Sequence, residues 1–481
     1  MKRYLFRGRL TAAATLLAAA GAVSLIQGCS NLTDPLLEAT DPDLIVPGTI
    51  QNADGAQGLY IGALSRLRNA TVTASTIQEP EWMFSGLLAD EWSTSSTFIQ
   101  NDEVDQRNIK LNNSSVLDQF RALARVRTGA NQAIQSLKLY RPTESFKIAE
   151  MYFARGFAEA QMAQDFCNGI PLSNVAPSDA PENFLLGTPL TVTDVFIAAI
   201  ASYDSALALV GTSTAASSID IARATRIGKA RALLGVNKAA EAALLVTPAL
   251  VPSTYSYDIT HSTSGGTNAL WGQAASSRRY TVSDSLEGNA RNLLVKNVIP
   301  FFSAKDPRVP VTYTISTNGK DTTKSQDGFT FSRTTPLWGQ TTTVSLVGGL
   351  DARLIEAEGQ LAAGDYTTMT ATLNALRKAR PKIGEVTIDT ASTVLPPLAV
   401  PASKTAAEDL YFREKAFWTF GRGQRLGDLR RLVRQYSRTV ANTFPVGEHY
   451  RGGQYGPDVN LPVPTDELTN PNFKGCIDRA P

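Results

Sequence analysis

Hydrophobic residues recur at helical spacing along the first half of the chain. Between residues 190 and 210 the apolar positions lie three or four residues apart, on one face of a helix: Val192, Phe196, Ala199, Tyr203, Leu207 and Val210. Thr191 and Asp194 form the S/T-x-x-D/E pattern of a capping box, which places a helix start there. Similar patterns predict helices over 52–70, 80–92, 116–137, 144–166 and 221–234.

Small residues within three helical segments indicate closely packed helix pairs. The segments are 154–158, 230–234 and 352–355, and the latter two are followed by a short break and a second helix rich in Ala and Leu. Small side chains let two helices approach closely, as in tetratricopeptide-type helix–turn–helix units. The segments follow no fixed period, so we expect irregular helix pairs instead of a regular solenoid.

A different pattern occupies residues 248–343, which are rich in Thr, Ser and Gly. Apolar Val311, Tyr313 and Ile315 alternate with polar residues and lead into Asn318-Gly319, a strong hairpin signal. Helices return over 349–379 and 405–436, and a Pro- and Gly-rich tail follows from 445 to 481. The predicted fold is therefore mostly α, with tetratricopeptide-like helix pairs (51–247 and 344–481) around an irregular, hairpin-containing insertion (248–343).

The first 28 residues have the features of an export signal. Four basic residues precede an uncharged run from 10 to 26 that is short for a membrane-spanning helix, and Gly28-Cys29 follows. The end of the run, Leu25-Ile26-Gln27-Gly28-Cys29, resembles a bacterial lipobox. That resemblance implies that Cys29 becomes the first mature residue and carries acyl chains such as palmitate, which bind a membrane. The alternatives are a signal peptide cut elsewhere and a retained anchor. Residues 29–50 contain Pro, Gly and acidic residues without helical periodicity, which predicts a linker.

Composition and charge exclude several classes of function. The 481 residues are 43% hydrophobic, with 46 Lys and Arg against 44 Asp and Glu. Removing the four leader cations leaves 42 basic and 44 acidic residues, which is not the basic footprint of a nucleic-acid-binding protein. Two histidines and three cysteines argue against a multi-histidine metal site, an iron–sulfur cluster or a disulfide scaffold. We therefore expect no metal and no cofactor.

The mature chain keeps two thiols, Cys167 and Cys476, outside the reducing cytoplasm. One hypothesis is a disulfide that joins the middle of the chain to its tail. The alternative is two independent buried thiols, and the residues do not decide between them.

The most specific pattern is a series of short motifs in a fixed order along the chain. They are Phe166-Cys167-Asn168-Gly169, Asp306-Pro307-Arg308, Glu356-Ala357-Glu358, Gly364-Asp365, residues 373–380, Arg413-Glu414-Lys415, Gly421-Arg422-Gly423, Arg425, Asp428-Leu429-Arg430-Arg431, Leu461-Pro462-Val463-Pro464 and Asn470-Pro471-Asn472. In this order, and behind a lipobox, the series resembles the SusD/RagB family of outer-membrane nutrient-binding lipoproteins.

The resemblance implies a function as well as a fold. Proteins of this family capture glycans, or peptides in the RagB branch, and deliver them to a TonB-dependent β-barrel of the SusC type for import. They are lipid-anchored at the outer membrane, face outward and are not enzymes. We expect the same of this chain, with a glycan as first ligand and a peptide as alternative. A periplasmic tetratricopeptide-type scaffold without a small ligand is the alternative from another class.

Three of the five tryptophans are candidate ligand contacts. A sugar ring packs its apolar face on an aromatic side chain, while polar groups bind its hydroxyls. Trp92, Trp271 and Trp338 each stand beside polar, loop-like sequence, where exposed rings mark binding surfaces; loop anchoring or contact with the barrel is the alternative for each. Trp82 and Trp418 lie in apolar helical patterns and are assigned to the core.

The sequence gives little support for a catalytic site. Asp90-Glu91 and Glu356/Glu358 are too close in sequence to face one another as a glycosidase pair. His261 and His449 lie near no G-x-S-x-G turn. The glycines 421, 423 and 427 do not have the dinucleotide spacing. Arg425 and Asp428, three residues apart, can pair on a helix face, so we expect the motif residues to hold helices together instead of binding ligand.

Overall fold

The described part of the chain is built mainly from α-helices, as the hydrophobic periodicity predicts. The structure is a computed structural model that describes residues 51–74, 79–175, 184–389 and 394–481. The predicted signal peptide, Cys29 and the predicted linker lie outside these residues. The helices are α1 (Ala53–Thr71), α2 (Glu81–Leu88), α3 (Ile99–Asp105), α4 (Ser114–Tyr140), α5 (Ser145–Asp165), α6 (Val192–Val210), α7 (Ala216–Gly235), α8 (Ala239–Leu245), α9 (Ala269–Trp271), α10 (Gly349–Ala362), α11 (Tyr366–Ala379), α12 (Lys404–Trp418) and α13 (Arg425–Gln435).

The strands are short and pair two by two, all antiparallel. The pairs within the described residues are β1 (Thr73–Ala74) with β8 (Thr267–Asn268), β2 (Trp92–Thr94) with β9 (Tyr280–Val282), β3 (Ile170–Pro171) with β6 (Pro189–Leu190), β4 (Asn174–Val175) with β5 (Phe184–Leu185), β7 (Ser256–Ile259) with β14 (Val344–Gly348), β10 (Leu286–Glu287) with β11 (Leu293–Leu294), and β12 (Thr312–Tyr313) with β13 (Arg333–Thr334). The β2–β9 pair joins the N-terminal helices to the insertion.

Consecutive helices pack as pairs, and small residues permit the contact. The ring of Tyr203 on α6 lies between Gly156 on α5 and Gly228 on α7: a Cβ at Gly156 would meet the ring at 3.0 Å, and one at Gly228 at 2.6 Å. Neither glycine could be replaced without moving the ring or a helix. Gly156, in the segment 154–158, therefore acts as predicted, and Gly228 lies two residues before the segment 230–234.

Helix α6 begins at the predicted capping box, in which Thr191 and Asp194 bond each other's backbone amides. By length and composition the helix could cross a membrane. Its buried residues Val195, Ala199 and Tyr203, together with its packing between α5 and α7, are those of a core helix. Its opposite side carries exposed apolar residues, Ile197 and Leu209 among them.

Two predicted helices are interrupted, and one is too long. The segment 349–379 breaks at Gly364, as the Gly364-Asp365 pair indicates, and 405–436 breaks between α12 and α13, where Gly421 and Gly423 adopt positive φ angles of 66° and 62°. The helix predicted over 80–92 ends at Leu88, and Trp92 instead begins strand β2. All residues from 79 to 96 are buried, in helix α2 and strand β2 alike, so no change in burial period marks the end of the helix.

The insertion contains the predicted hairpin. Strand β12 pairs with β13, Ile315 bridges Thr322, and the amide of Gly319 donates to the carbonyl of Ser316 at 2.9 Å. The described residues form one compact unit, and the larger of two hydrophobic clusters among them draws side chains from all three predicted parts.

Candidate functional site

Two of the three candidate tryptophans lie in the core. Trp92 is 1% exposed and Trp338 is 5% exposed. Phe420 packs against both: its ring centroid is 4.8 Å from that of Trp92 and 6.1 Å from that of Trp338. Trp271, at the end of α9, is half-buried and packs against the core. The expectation of exposed loop rings is therefore wrong for Trp92 and Trp338, because β2 and the α12–α13 connection bury them.

The polar stretch that follows Trp92 does form a surface hollow, around a different ring. The half-buried Phe98 lies at its wall, and the hollow has a volume of about 270 Å³. The lining residues are Glu79, Phe98, Gln100, Ser114, Ser115, Asp118 and Gln119. We call this the Phe98 hollow. Its walls combine an aromatic ring with amide, hydroxyl and carboxylate groups, which are the side chains that bind sugar rings.

Hydrogen bonds fix the loop that carries Phe98. Strand β2 is held by β9, and the amide of Ser95 donates to the carbonyl of Arg279 at 2.8 Å. The Phe98 amide donates to the Ser96 hydroxyl at 3.1 Å, and α3 begins at the next residue. On the opposite wall Asn113 caps α4 and donates to the carbonyl of Gln100 at 3.0 Å. Hydrogen bonds within the protein thus fix the two segments that line the Phe98 hollow.

An ion pair lies beside the ring of the Phe98 hollow. The guanidinium of Arg279 lies 4.3 Å from the Phe98 ring centroid, a cation–π contact. Arg279 also lies 3.5 Å from the carboxylate of Glu79. Burial raises the pKa of Glu79, while hydrogen bonds from Tyr280 and the charge of Arg279 oppose that rise. Gln119 donates to the Glu79 carbonyl, and its own side-chain oxygen is buried without a partner in the described chain.

A second and larger concavity lies between helices. It has a volume of about 730 Å³ and is bounded by the β7–β14 pair, α10, α11 and the segment 381–384; we call it the α10–α11 cleft. Its apolar wall comes from Tyr255, Trp338, Leu350, Ala375, Leu376, Ala379, Pro381 and Ile383. Of the three candidate tryptophans, Trp338 lines it.

Comparison with solved structures identifies the fold. A SusD superfamily protein from Bacteroides fragilis is 15% identical, with a TM-score of 0.61 over 88% of this chain and 99% of that chain. A SusD-like carbohydrate-binding protein from Bacteroides fragilis is 14% identical, with a TM-score of 0.61 over 89% and 100%. A laminarin-binding SusD-like protein is 14% identical, with a TM-score of 0.55 over 89% and 99%. This chain has the SusD-like fold. No protein-family model and no curated protein matches its sequence.

The motifs that suggested the SusD-like fold form its buried ion pairs. Glu358 accepts from Tyr411 at 2.8 Å and pairs with Arg431; Lys415 reaches Asp428 at 2.6 Å. Burial would raise the pKa of Glu358, but Arg431 and Lys415 hold it at about 2. The architectural role predicted for these residues is therefore the one that the structure displays.

One predicted pair is wrong. Arg425 does not bind its helical neighbour Asp428 but forms two hydrogen bonds, 2.6 and 2.9 Å, with Asp90, which lies 335 residues earlier in the chain. The motif Asp306-Pro307-Arg308 contacts α12. Arg308 pairs with Glu414 at 2.7 Å, and Arg377 on α11 pairs with the same carboxylate at 2.5 Å. These pairs connect the insertion and the N-terminal helices to α12 and α13 of the SusD-like body.

The carboxylates considered for catalysis are engaged or buried. Asp90 is held by Arg425, and burial raises the pKa of Glu91 to about 8, with its Oε1 accepting from the Gly421 amide at 2.9 Å. Glu356 pairs with Arg353, three residues away, and Glu358 with Arg431. Among the described residues no group of three or more His, Cys, Asp or Glu side chains is arranged to hold a metal ion.

Cys167 and Cys476 are joined by a disulfide, with a Cα–Cα distance of 6.0 Å. The bridge fastens the tail to the end of α5, where Cys167 also accepts from the Val463 amide at 3.3 Å. Of the two hypotheses drawn from the sequence, the structure contains the bridged form.

Phe98 is the ring that sequence reasoning misses. Trp92, at the start of the same polar stretch, has the larger ring and was the predicted ligand contact. The available signal was the apolar pair Phe98-Ile99, which interrupts the polar stretch before Asn101. A ring in such a position either packs inward or lies at the surface, and tertiary contacts between β2 and β9 decide which.

Proposed function

We propose that this protein is an outer-membrane lipoprotein that binds a glycan at the Phe98 hollow and delivers it to a TonB-dependent barrel of the SusC type. Cys29 would carry the lipid, and the protein would face outward. The observation that carries the proposal is the SusD-like fold, shared with carbohydrate-binding proteins over nearly their whole length, together with an aromatic and polar hollow on its surface.

The size of the hollow suits one sugar ring of a longer chain. At about 270 Å³ it lies just below the range of ordinary ligand pockets, which begins at roughly 300 Å³. A pyranose would place its C–H face on Phe98 and its hydroxyls near Gln100, Ser114 and Asp118, and the rest of the oligosaccharide would remain outside. A peptide is the alternative ligand of the same hollow.

Calorimetric titration with a panel of neutral polysaccharides, including laminarin, tests the binding. Phe98→Ala should weaken the affinity for any bound member by about tenfold, because a central aromatic contact contributes on the order of 1–2 kcal/mol. Phe146→Ala is the matched control, since Phe146 is also half-buried but lies on α5, outside the hollow. Loss of binding in both variants, or in neither, would contradict the assignment of the hollow. Binding of peptides and of no glycan would favour the RagB-like alternative.

Anchoring and partnership need the full-length protein in its own membrane. Affinity purification of the tagged protein from gently solubilised membranes should recover a large TonB-dependent barrel in near-equal amount. A Cys29→Ala variant should lose its membrane attachment. Recovery of the protein alone, or with soluble partners, would favour the periplasmic scaffold over the importer.

A further inference from the structure

We infer that the α10–α11 cleft is a second binding site, which takes a small amphipathic carboxylate: an acid with an apolar body. This site is separate from the Phe98 hollow and does not depend on glycan binding. The volume of about 730 Å³ lies well inside the range of small-molecule sites. Its walls are mainly apolar, which suits an aliphatic or aromatic body better than a bare sugar.

Cations dominate the charged groups of the cleft. Arg353, Lys382 and Arg422 line it, and Glu356 is the acidic residue among its lining side chains. Arg422 is already paired, with Asp351 at 2.7 Å. Lys382 is exposed and lies 3.6 Å from Glu385, an arrangement that water screens strongly. Each of the three cations thus has a carboxylate beside it, and what remains for a ligand anion is the donor of Arg353 that has no hydrogen-bond partner in the described chain.

Arg353 is a buried cation of the cleft lining whose hydrogen-bond donors are not all used. Its side chain is 9% exposed, Glu356 lies 3.0 Å from its Nε, and its Nη2 donates to the carbonyl of Val246. Its Nη1 is buried without a hydrogen-bond partner in the described chain. A buried guanidinium donor without an acceptor costs free energy, and most native groups of this kind find a partner. A carboxylate in the cleft would supply that acceptor.

The geometry also explains why a carboxylate is favoured over a neutral polar group. Burial lowers the pKa of Arg353, and the charge of Glu356 offsets this in part. A cation in this situation gains most from a ligand that brings a negative charge, since charge-assisted hydrogen bonds are about twice as strong as neutral ones. Lys382, at the open side, would attract the same group.

The test uses fluorine NMR of the folded mature protein labelled with 5-fluorotryptophan. All five tryptophans lie in the described chain, and a Trp338→Phe variant assigns the signal of Trp338. The probes are two acids, decanoate and N-acetylphenylalanine, each with its neutral amide. Decanoate represents free acids, and N-acetylphenylalanine represents a peptide carboxyl terminus. At least one acid should shift the Trp338 signal in a saturable manner, and its amide should not.

Substitutions then test which cations bind the carboxylate of the acid. Arg353→Gln should weaken binding of the acid by about tenfold or more, and Lys382→Gln by about two- to threefold. Lys378→Gln makes the same change on α11 outside the cleft lining and should have no effect. The inference is overturned if the amides bind as tightly as the acids, if Lys382→Gln and Lys378→Gln behave alike, or if neither acid moves the Trp338 signal up to its solubility limit. None of these results bears on glycan binding at the Phe98 hollow.

Discussion

The motif-bearing helices and the Phe98 hollow differ in how their polar groups are used. In α10, α12 and α13 the charged motif residues Glu358, Lys415, Asp428 and Arg431 are buried and paired with one another. At the hollow, Gln100, Ser114 and Asp118 line an open surface around a half-buried ring. The buried residues that make the sequence recognisable therefore stabilise the fold, and the residues that line the Phe98 hollow lie outside the motifs.

Breaking a motif pair should have the largest effect on stability. Glu358→Ala leaves Arg431 and Lys415 buried with one carboxylate fewer, so we expect a loss of about 3–5 kcal/mol in the free energy of unfolding. Urea unfolding measures it. Glu241→Ala is the control: Glu241 pairs with Lys238 on the surface, where both side chains are more than half exposed, and should cost less than about 0.5 kcal/mol. Equal effects would remove the distinction between the two regions.

Removing the disulfide should have the second-largest effect on the free energy of unfolding. Cys476→Ser opens a bridge between residues 309 apart and should lower the free energy of unfolding by about 2–4 kcal/mol. Reductant should lower the melting temperature of the wild-type protein by the same mechanism and leave that of the Cys167→Ser/Cys476→Ser variant unchanged. Glycan binding should survive in the folded protein. Finding two free thiols in the unfolded, non-reduced protein would refute the bridge.

The smallest effect should appear as a pH dependence. The pKa of Glu91 is raised from its ordinary value to about 8 by burial, so the folded state keeps a proton that the unfolded state loses near pH 4.5. Stability contributed by this group is therefore lost as pH rises from about 5 to about 8. Glu91→Gln should reduce that loss by about 1–3 kcal/mol. Unfolding curves at the two pH values measure it, with Glu241→Gln as control. An unchanged slope in Glu91→Gln would contradict burial of an ionisable Glu91.

Periodic and local features of this fold could be predicted from the sequence, and long-range ones could not. The capping box at Thr191 and the turn at Asn318-Gly319 depend on neighbouring residues, and both are present. The partner of Arg425 lies 335 residues away, and spacing along one helix suggests Asp428 instead. Exposure of Trp92 depends on Phe420, another distant residue. The hollow beside this loop presents the ring of Phe98, and not that of Trp92, for the same reason.

The bridge between Cys167 and Cys476 also makes part of the chain a covalent circle. The α10–α11 cleft is built from residues inside that circle, and the Phe98 ring belongs to the segment outside it. A single proteolytic cut between residues 168 and 475 would open the circle without releasing either fragment, so the nicked protein would migrate as one band until it is reduced. A cut between residues 99 and 166 has no such protection and would separate the polypeptide that carries Phe98 from the rest upon unfolding.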